Sequence, residues 1–285
     1  MNPIIYIVKN IISKEVREST YVEKCLKDII ERSDFHTISM VFNESAGCSG
    51  ESNYNKITLG IEYLLGLWSL CFDYHTPACE INVYQYSKTF KNHTDLLYWT
   101  VCPWDRNNHG DFQQEIHSNG LSIENCDSDS AYLYFENALW FSFLHELGHV
   151  YKGHKKENPI EEEKEADSFA IMILKEEISQ KPSATCIKKE SILLNLIYIL
   201  FHEKIEDWNT DHSMPIQRIC DVLEQLESDE KDEIWEIAFY LIKYWHRTKQ
   251  TFFDASVLPT ENIKSNKDKV YFIYNAVKMK LINEK

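Results

Sequence analysis

The stretch FLHELGHVYKGH, residues 143–154, places two histidines four positions apart, with a glutamate directly after the first. On an α-helix, residues i and i+4 lie one above the other, so His145 and His149 can both point an imidazole at one ion. Glu146 then lies beside them around the helix, within reach of a water molecule on that ion. This spacing predicts a helix that carries a metal site. The alternative is a buried helix whose two histidines are only hydrogen-bonded.

The helix around these residues is predicted to be buried. Apolar side chains cover most of its remaining surface, namely Trp140, Phe143, Leu144, Leu147 and Val150. Gly148 has no side chain, so another segment can approach the helix closely there, and Gly153 predicts its end. Two imidazoles and a carboxylate are costly to bury unless a partner satisfies them, which favours a bound ion.

A second helix is predicted in the segment NPIEEEKEADSFAIMILK, residues 158–175. Asn158 and Pro159 are residue types preferred at the cap and in the first turn of a helix. One face of this helix carries Glu163, Ala166, Asp167, Ala170 and Leu174. Because that face is otherwise apolar, we expect it to point toward the core.

This face supplies a candidate third ligand, since catalytic zinc usually takes three protein ligands and leaves a fourth position open. Glu163 is the predicted ligand beside the two histidines, and Zn²⁺ is the predicted cofactor. Asp167, one turn later, is predicted to accept the remaining N–H of a ligand histidine. His154 and Glu162 are the alternative ligands, His154 only if the chain folds back after Gly153.

Composition limits the partners of the protein. The net charge of −15 argues against nucleic acid and against anionic lipid, because both would be repelled. No apolar run is long enough to span a bilayer, and the amino terminus lacks the pattern of a secretory signal. The eight cysteines include no CxxC pair and are predicted to be reduced thiols. These features predict a cytoplasmic protein without a membrane or nucleic-acid partner.

The chain is expected to form a single domain, 1–285, of class α+β. Its parts are a mixed α/β region over 1–130, a zinc-binding core over 131–180 and a helical region over 190–285. The turn-rich segment 103–130 is predicted to be a polar surface insertion, and the alternative is a lid or recognition loop.

Individual elements follow from periodicity. Short runs of β-branched and aromatic residues predict strands at ISMVF (38–42), KITLG (56–60), INVYQYS (81–87), LYWTV (97–101) and AYLYF (131–135). Helical spacing predicts helices at 21–33, 61–74, 190–204, 215–228, 232–247 and 269–281. Asn137 is the predicted cap of the histidine-bearing helix.

The two quoted segments carry a family resemblance. HELGH followed by EKEADSFA is similar to the gluzincin pattern, H-E-x-x-H with a later E-x-x-x-D. Over roughly 136–180, the sequence LWFSFLHELGHVYKGH…EEEKEADSFA resembles the bacterial ImmA/IrrE metallopeptidases. A wider likeness to Lit-type phage-exclusion peptidases rests on VFNESAG…NKITLGIEYLLGLW and on the intervals between His145, His149 and His154.

These resemblances imply a minigluzincin-like zincin core with a small antiparallel sheet and a helical carboxy-terminal half. They also imply an intracellular zinc endopeptidase whose substrate is a protein, such as a host translation factor or a repressor. The role would lie in phage exclusion or stress signalling.

In such an enzyme, zinc lowers the pKa of its bound water and Glu146 accepts the proton. His212 in TDHSMPIQR is predicted to lie in a loop before a helix that Pro215 opens, with Arg218 one turn into that helix. His212 is the predicted second electrophile for the oxyanion, and Tyr151 is the alternative. AYLYF would hold the substrate backbone as an added strand, with Tyr132 and Tyr134 on one face.

Two other functions fit the sequence. The first is a non-catalytic, antitoxin-like regulatory protein that only holds the ion. The second is a structural zinc protein with a closed fourth position, for which His154 is the candidate. Glu146 favours the enzyme, because neither a binding module nor a structural site needs a base.

Overall fold

The computed structural model describes residues 3–32, 37–43, 47–51, 55–78, 130–155, 157–203, 205, 208, 214–229, 231–248, 253, 255–259 and 262–283. Its first part contains α1 (Pro3–Glu18), α2 (Thr20–Arg32), β1 (Ser39–Asn43), β2 (Cys48–Glu51), β3 (Lys56–Gly60) and α3 (Ile61–Ala78). Then follow α4 (Ser130–Lys152), α5 (Pro159–Gln180), α6 (Thr185–His202), α7 (Pro215–Gln225), α8 (Glu233–Thr248) and α9 (Asn266–Asn283).

These elements confirm the predicted helices at 21–33, at 61–74 and after 190. They also confirm the predicted strands at 38–42 and 56–60. The α+β class therefore fits. The predicted strands at 81–87 and 97–101 lie outside the described residues, as does the segment 103–130 except for its last residue, which opens α4.

The described strands form a mixed sheet in the order β1-β3-β2. β1 runs parallel to β3, whereas β2 runs antiparallel to it. The predicted antiparallel arrangement therefore holds for only one of the two strand pairs. The central strand β3 buries Ile57 and Leu59 and leads directly into α3 at Ile61, so the sheet and the helical body share one core.

The long helix α4 lies at the centre of the structure, with α3, α5 and α6 packed around it and β2 lying against it. Neighbours on several sides explain why its apolar residues occupy more than one face. Ten of them are buried: Ala131, Phe135, Ala138, Leu139, Trp140, Phe141, Phe143, Leu144, Leu147 and Val150. The predicted burial of this helix is confirmed.

The start of α4 corrects two predictions. Residues 131–135 are helical, not a strand. A strand would place Ala131, Leu133 and Phe135 on one face, yet Leu133 is 43% exposed while Phe135 is fully buried; helical spacing separates the two. Asn137 does not cap the helix, because it lies inside it and its Nδ2 donates to the Leu133 carbonyl at 2.7 Å.

A buried polar cluster fixes α3, α4 and α6 to one another. The hydroxyls of Tyr63 and Ser142 lie 2.8 Å apart, and the Asn195 amide donates to Tyr63 at 2.8 Å and to the Ala138 carbonyl at 3.0 Å. A third bond joins Asn195 to Ser142. Buried hydrogen bonds of this kind favour one arrangement of the helices, and α4 carries the candidate site.

Among the helices that the structure describes, none combines the length and the apolarity that a membrane crossing requires.

Candidate metal centre

The two histidines of HELGH face the same point from one side of α4. Their Nε2 atoms lie 3.1 Å apart and their ring centroids 4.8 Å apart. This is the arrangement that the four-residue spacing predicts for a helix. Both side chains are largely buried, with 9% of His145 and 12% of His149 exposed.

Helix α5 brings a carboxylate to the same point. Glu163 Oε2 lies 3.3 Å from Nε2 of His145, and its Oε1 lies 3.4 Å from Nε2 of His149. The helices approach closely at Gly148, where a Cβ would lie 3.1 Å from Cα of Ala166. The lack of a side chain at Gly148 therefore places Glu163 within reach of the histidines.

These three side chains could hold a metal ion, since their ligand atoms all lie within 4.8 Å of one another. Two imidazole nitrogens and one carboxylate oxygen form a donor set compatible with Zn²⁺. Burial acts in the opposite direction, but the charges of His145 and Arg218 lower the pKa of Glu163 well below its usual value. The carboxylate is therefore ionised, as a metal ligand must be.

Asp167 lies where the sequence predicts it, beside the outer nitrogen of a candidate ligand histidine. Its Oδ1 is 2.9 Å from Nδ1 of His145, and the side chain is 4% exposed. Burial opposes ionisation, but Arg218 and His145 lower the pKa of Asp167 below its ordinary value. An ionised carboxylate only accepts, so Nδ1 of His145 carries a hydrogen, and Nε2 is the nitrogen that faces Glu163 and His149.

The alternative ligands His154 and Glu162 point elsewhere. Gly153 has φ +74° and ends α4 as predicted, and the chain returns so that Nδ1 of His154 lies 2.9 Å from Nδ1 of His149. His154 thus contacts the outer nitrogen of His149 and not the cluster itself. Glu162 accepts the backbone N–H groups of Lys155 and Glu157 at 3.3 and 3.2 Å.

Glu146 is buried beside the cluster, and strand β2 lies directly on it. The backbone of Gly50 hydrogen-bonds to the Glu146 carboxylate. A Cβ at Gly50 would lie 2.3 Å from the Glu146 carbonyl oxygen and 3.0 Å from Cβ of His149, so only glycine fits here without a shift. Burial raises the pKa of Glu146 to about 7, a value suited to accepting and returning a proton.

The two predicted oxyanion residues are not part of the described cluster. His212 lies outside the described residues. Tyr151 packs on Phe169, with ring centroids 5.3 Å apart, and the Arg32 guanidinium lies 4.8 Å above its ring. The Tyr151 side chain therefore packs between α4, α5 and α2.

Sequence reasoning missed Arg218 as a member of the site. Its Nε and Nη2 donate to the two oxygens of Asp167, both at 2.9 Å, and its Nη1 lies 3.2 Å from Oε2 of Glu163. The available signal was its position on the apolar face of α7, next to the buried residues Ile219 and Val222. An arginine on such a face requires buried carboxylates as partners.

Comparison with known proteins gives one match. Residues 106–238 match the model of the family Peptidase U49, a range that includes α4, α5 and α7. The match indicates a peptidase family and is consistent with the resemblance to Lit-type metallopeptidases, whereas the likeness to ImmA/IrrE proteins stays a prediction. The searches of curated proteins and of solved structures returned no match.

Proposed function

We propose that this protein is a zinc-dependent endopeptidase that cleaves a protein substrate. The observation that carries the proposal is the convergence of His145, His149 and Glu163, from two helices, beside the buried carboxyl of Glu146. The match of residues 106–238 to Peptidase U49 supports protease activity independently of that geometry.

The residues that would hold zinc are His145, His149 and Glu163. When bound, the ion would supply Lewis acidity, which makes a water molecule acidic near neutral pH and polarises the peptide carbonyl. Asp167 keeps the hydrogen of His145 on Nδ1, and so presents Nε2 as a lone-pair donor.

Glu146 is the proposed general base. It accepts the proton of the attacking water and returns that proton to the leaving amine as the peptide bond breaks. The hydrogen bond with the Gly50 backbone holds the carboxyl group in place. Burial leaves the pKa of Glu146 near neutrality, so both transfers are accessible at the pH of a cell.

Strand β2 replaces AYLYF as the proposed binding strand for the substrate backbone. It is an edge strand of the described sheet, paired with β3 on one side only. Through Gly50 it also lies against Glu146. An extended peptide that added to this edge would pass beside the general base, as an endopeptidase requires.

We place the activity in the cytoplasm, where phage exclusion or stress signalling would take place. All five cysteines of the described residues are free thiols: Cys25, Cys48, Cys71, Cys186 and Cys220. Free thiols are typical of a reducing compartment. The proposed target is an intracellular protein, such as a translation factor or a repressor.

The test compares wild type with Glu146→Gln, which keeps the proposed ligands and removes the base. Both proteins are expected to purify with about one zinc per chain. Protein fragments in cells that express each variant are then compared by mass spectrometry of new amino termini. Wild type is expected to generate a small set of fragments that Glu146→Gln does not.

The exposed Glu161 on α5 provides a matched control, and Glu161→Gln is expected to produce the wild-type fragments. Equal fragment sets from wild type and Glu146→Gln, with zinc present in both, would instead support the non-catalytic regulatory protein. Absence of zinc from wild type would contradict the metal site itself.

A further inference from the structure

Arg218 carries a positive charge into the core of the protein. It is 4% exposed and belongs to α7, a helix of the carboxy-terminal region that contributes none of the proposed metal ligands. A buried guanidinium is costly unless its donors are satisfied by well-oriented acceptors. The positions of those acceptors therefore indicate what the residue does.

Both acceptors lie on α5, one helical turn apart. The side of the guanidinium formed by Nε and Nη2 donates to the two oxygens of Asp167, each at 2.9 Å. The remaining nitrogen, Nη1, lies 3.2 Å from Oε2 of Glu163. A single planar group thus contacts the proposed ligand carboxylate and the carboxylate that orients His145.

We propose that Arg218 is a positioning residue of the metal centre, which fixes the Glu163 carboxylate and, through Asp167, the His145 imidazole in the orientation that binds the ion. The inference rests on the proposed function. It adds α7 to the elements on which zinc binding depends.

The contact pattern explains why the residue is an arginine. Guanidinium is planar and presents donors along two edges at fixed angles, so it can hold two carboxylates at once. A lysine ammonium is a single point charge and cannot reproduce both contacts. At Glu163 the contact restrains Oε2, so the carboxylate cannot turn freely away from the two imidazoles.

The experiment measures zinc affinity, by competition with a chromophoric chelator, in wild type, Arg218→Met and Arg218→Lys. Arg218→Met is expected to raise the zinc dissociation constant at least about tenfold, as loss of an outer partner of metal ligands does. The zinc dissociation constant of Arg218→Lys is expected to lie between those of wild type and Arg218→Met. The visible spectrum of Co²⁺ bound in place of zinc is expected to change in both variants, because it reports ligand geometry.

A control separates positioning from stability. Lys188 of α6 forms a largely buried ion pair, at 2.6 Å, with Glu177, which lies on α5 but away from the cluster. Lys188→Met is expected to lower the unfolding temperature while zinc affinity and the Co²⁺ spectrum remain those of wild type. Arg218→Met with wild-type affinity and spectrum would overturn the inference.

Arg218→Met leaves Asp167 buried without its cation and could fail to fold, so a second pair of variants is included. Asp167→Asn/Arg218→Met removes both charges and is compared with Asp167→Asn alone. The double variant is expected to bind zinc more weakly, because Glu163 loses its contact with Nη1. Equal affinities in this pair would overturn the inference, whereas failure of wild type to bind zinc would overturn the proposed function first.

Discussion

Nδ1 of His149 lies 2.9 Å from Nδ1 of His154. One of the two nitrogens must donate and the other accept. If His149 presents Nε2 to an ion, its Nδ1 carries the hydrogen and His154 accepts it. Nε2 of His154 then donates to Glu165 Oε2, 3.2 Å away. Each proposed ligand histidine therefore has a partner at its outer nitrogen: Asp167 for His145, and His154 for His149.

Replacement of His154 distinguishes an outer partner from a ligand. His154→Phe keeps an aromatic ring and removes the acceptor, so zinc is expected to remain bound with about 10- to 100-fold lower affinity. A chelator titration and the zinc content after dialysis measure this. Glu165→Gln, which retains an acceptor oxygen, is the milder companion. Complete loss of zinc from His154→Phe alone would show that His154 is a ligand.

Even substitution of Gly50 by alanine should lower the activity of the protein. A Cβ there would lie 2.3 Å from the Glu146 carbonyl oxygen, so Gly50→Ala must move β2 away from α4. We expect kcat to fall at least about tenfold, because the general base loses its backbone contact, while zinc content is unchanged.

Gly47 is the matched control for that variant, since a Cβ at this position meets nothing within 4 Å. Gly47→Ala is expected to cleave at the wild-type rate. If Gly50→Ala also cleaved at the wild-type rate, the contact between β2 and Glu146 would not contribute to activity.

Substitutions of Glu162 and Glu163, which are neighbours on α5, should have very different effects on zinc affinity. Glu163→Gln replaces the ionised carboxylate of the proposed third ligand by a neutral amide and is expected to weaken zinc binding by more than tenfold. Glu162→Gln changes only a side chain that accepts loop N–H groups and is expected to bind zinc as wild type does. Isothermal titration of each apo protein with zinc makes the comparison; the reverse order would assign the third ligand to Glu162.

The cluster of Asn195, Tyr63 and Ser142 should contribute to stability. Asn195→Leu removes three hydrogen bonds and leaves the Ala138 carbonyl without this donor, so it is expected to cost about 1–3 kcal/mol. Urea unfolding measures the loss. Asn137→Ala, at a half-buried position of α4 outside this cluster, is the control and should change the free energy of unfolding by less than about 0.5 kcal/mol. If Asn195→Leu lowered the free energy of unfolding no more than Asn137→Ala does, the cluster would have no structural role.

Much of the site could be predicted from the sequence because it lies on two helices with strong periodicity. The spacing of His145 and His149 and the apolar face that carries Glu163 and Asp167 place these residues as the structure does. The prediction that a neighbouring segment approaches closely at Gly148, which has no side chain, is also confirmed.

The errors lie where packing outweighs local pattern. AYLYF has strand-type residues, but Phe135 is buried while Leu133 is exposed, and a strand would place both on one face. Strand β2, CSGE, has no alternation that could reveal it. The bonds of Arg218 to Asp167 span 51 positions along the chain, beyond what a local pattern can show.

The central claim is that His145, His149 and Glu163 bind one zinc ion, and X-ray absorption at the zinc edge of the purified protein tests it most directly. We expect scattering from two imidazole rings and further nitrogen or oxygen donors at about 2.0–2.2 Å, with no sulfur. A sulfur shell at about 2.3 Å, or a spectrum without imidazole scattering, would contradict it.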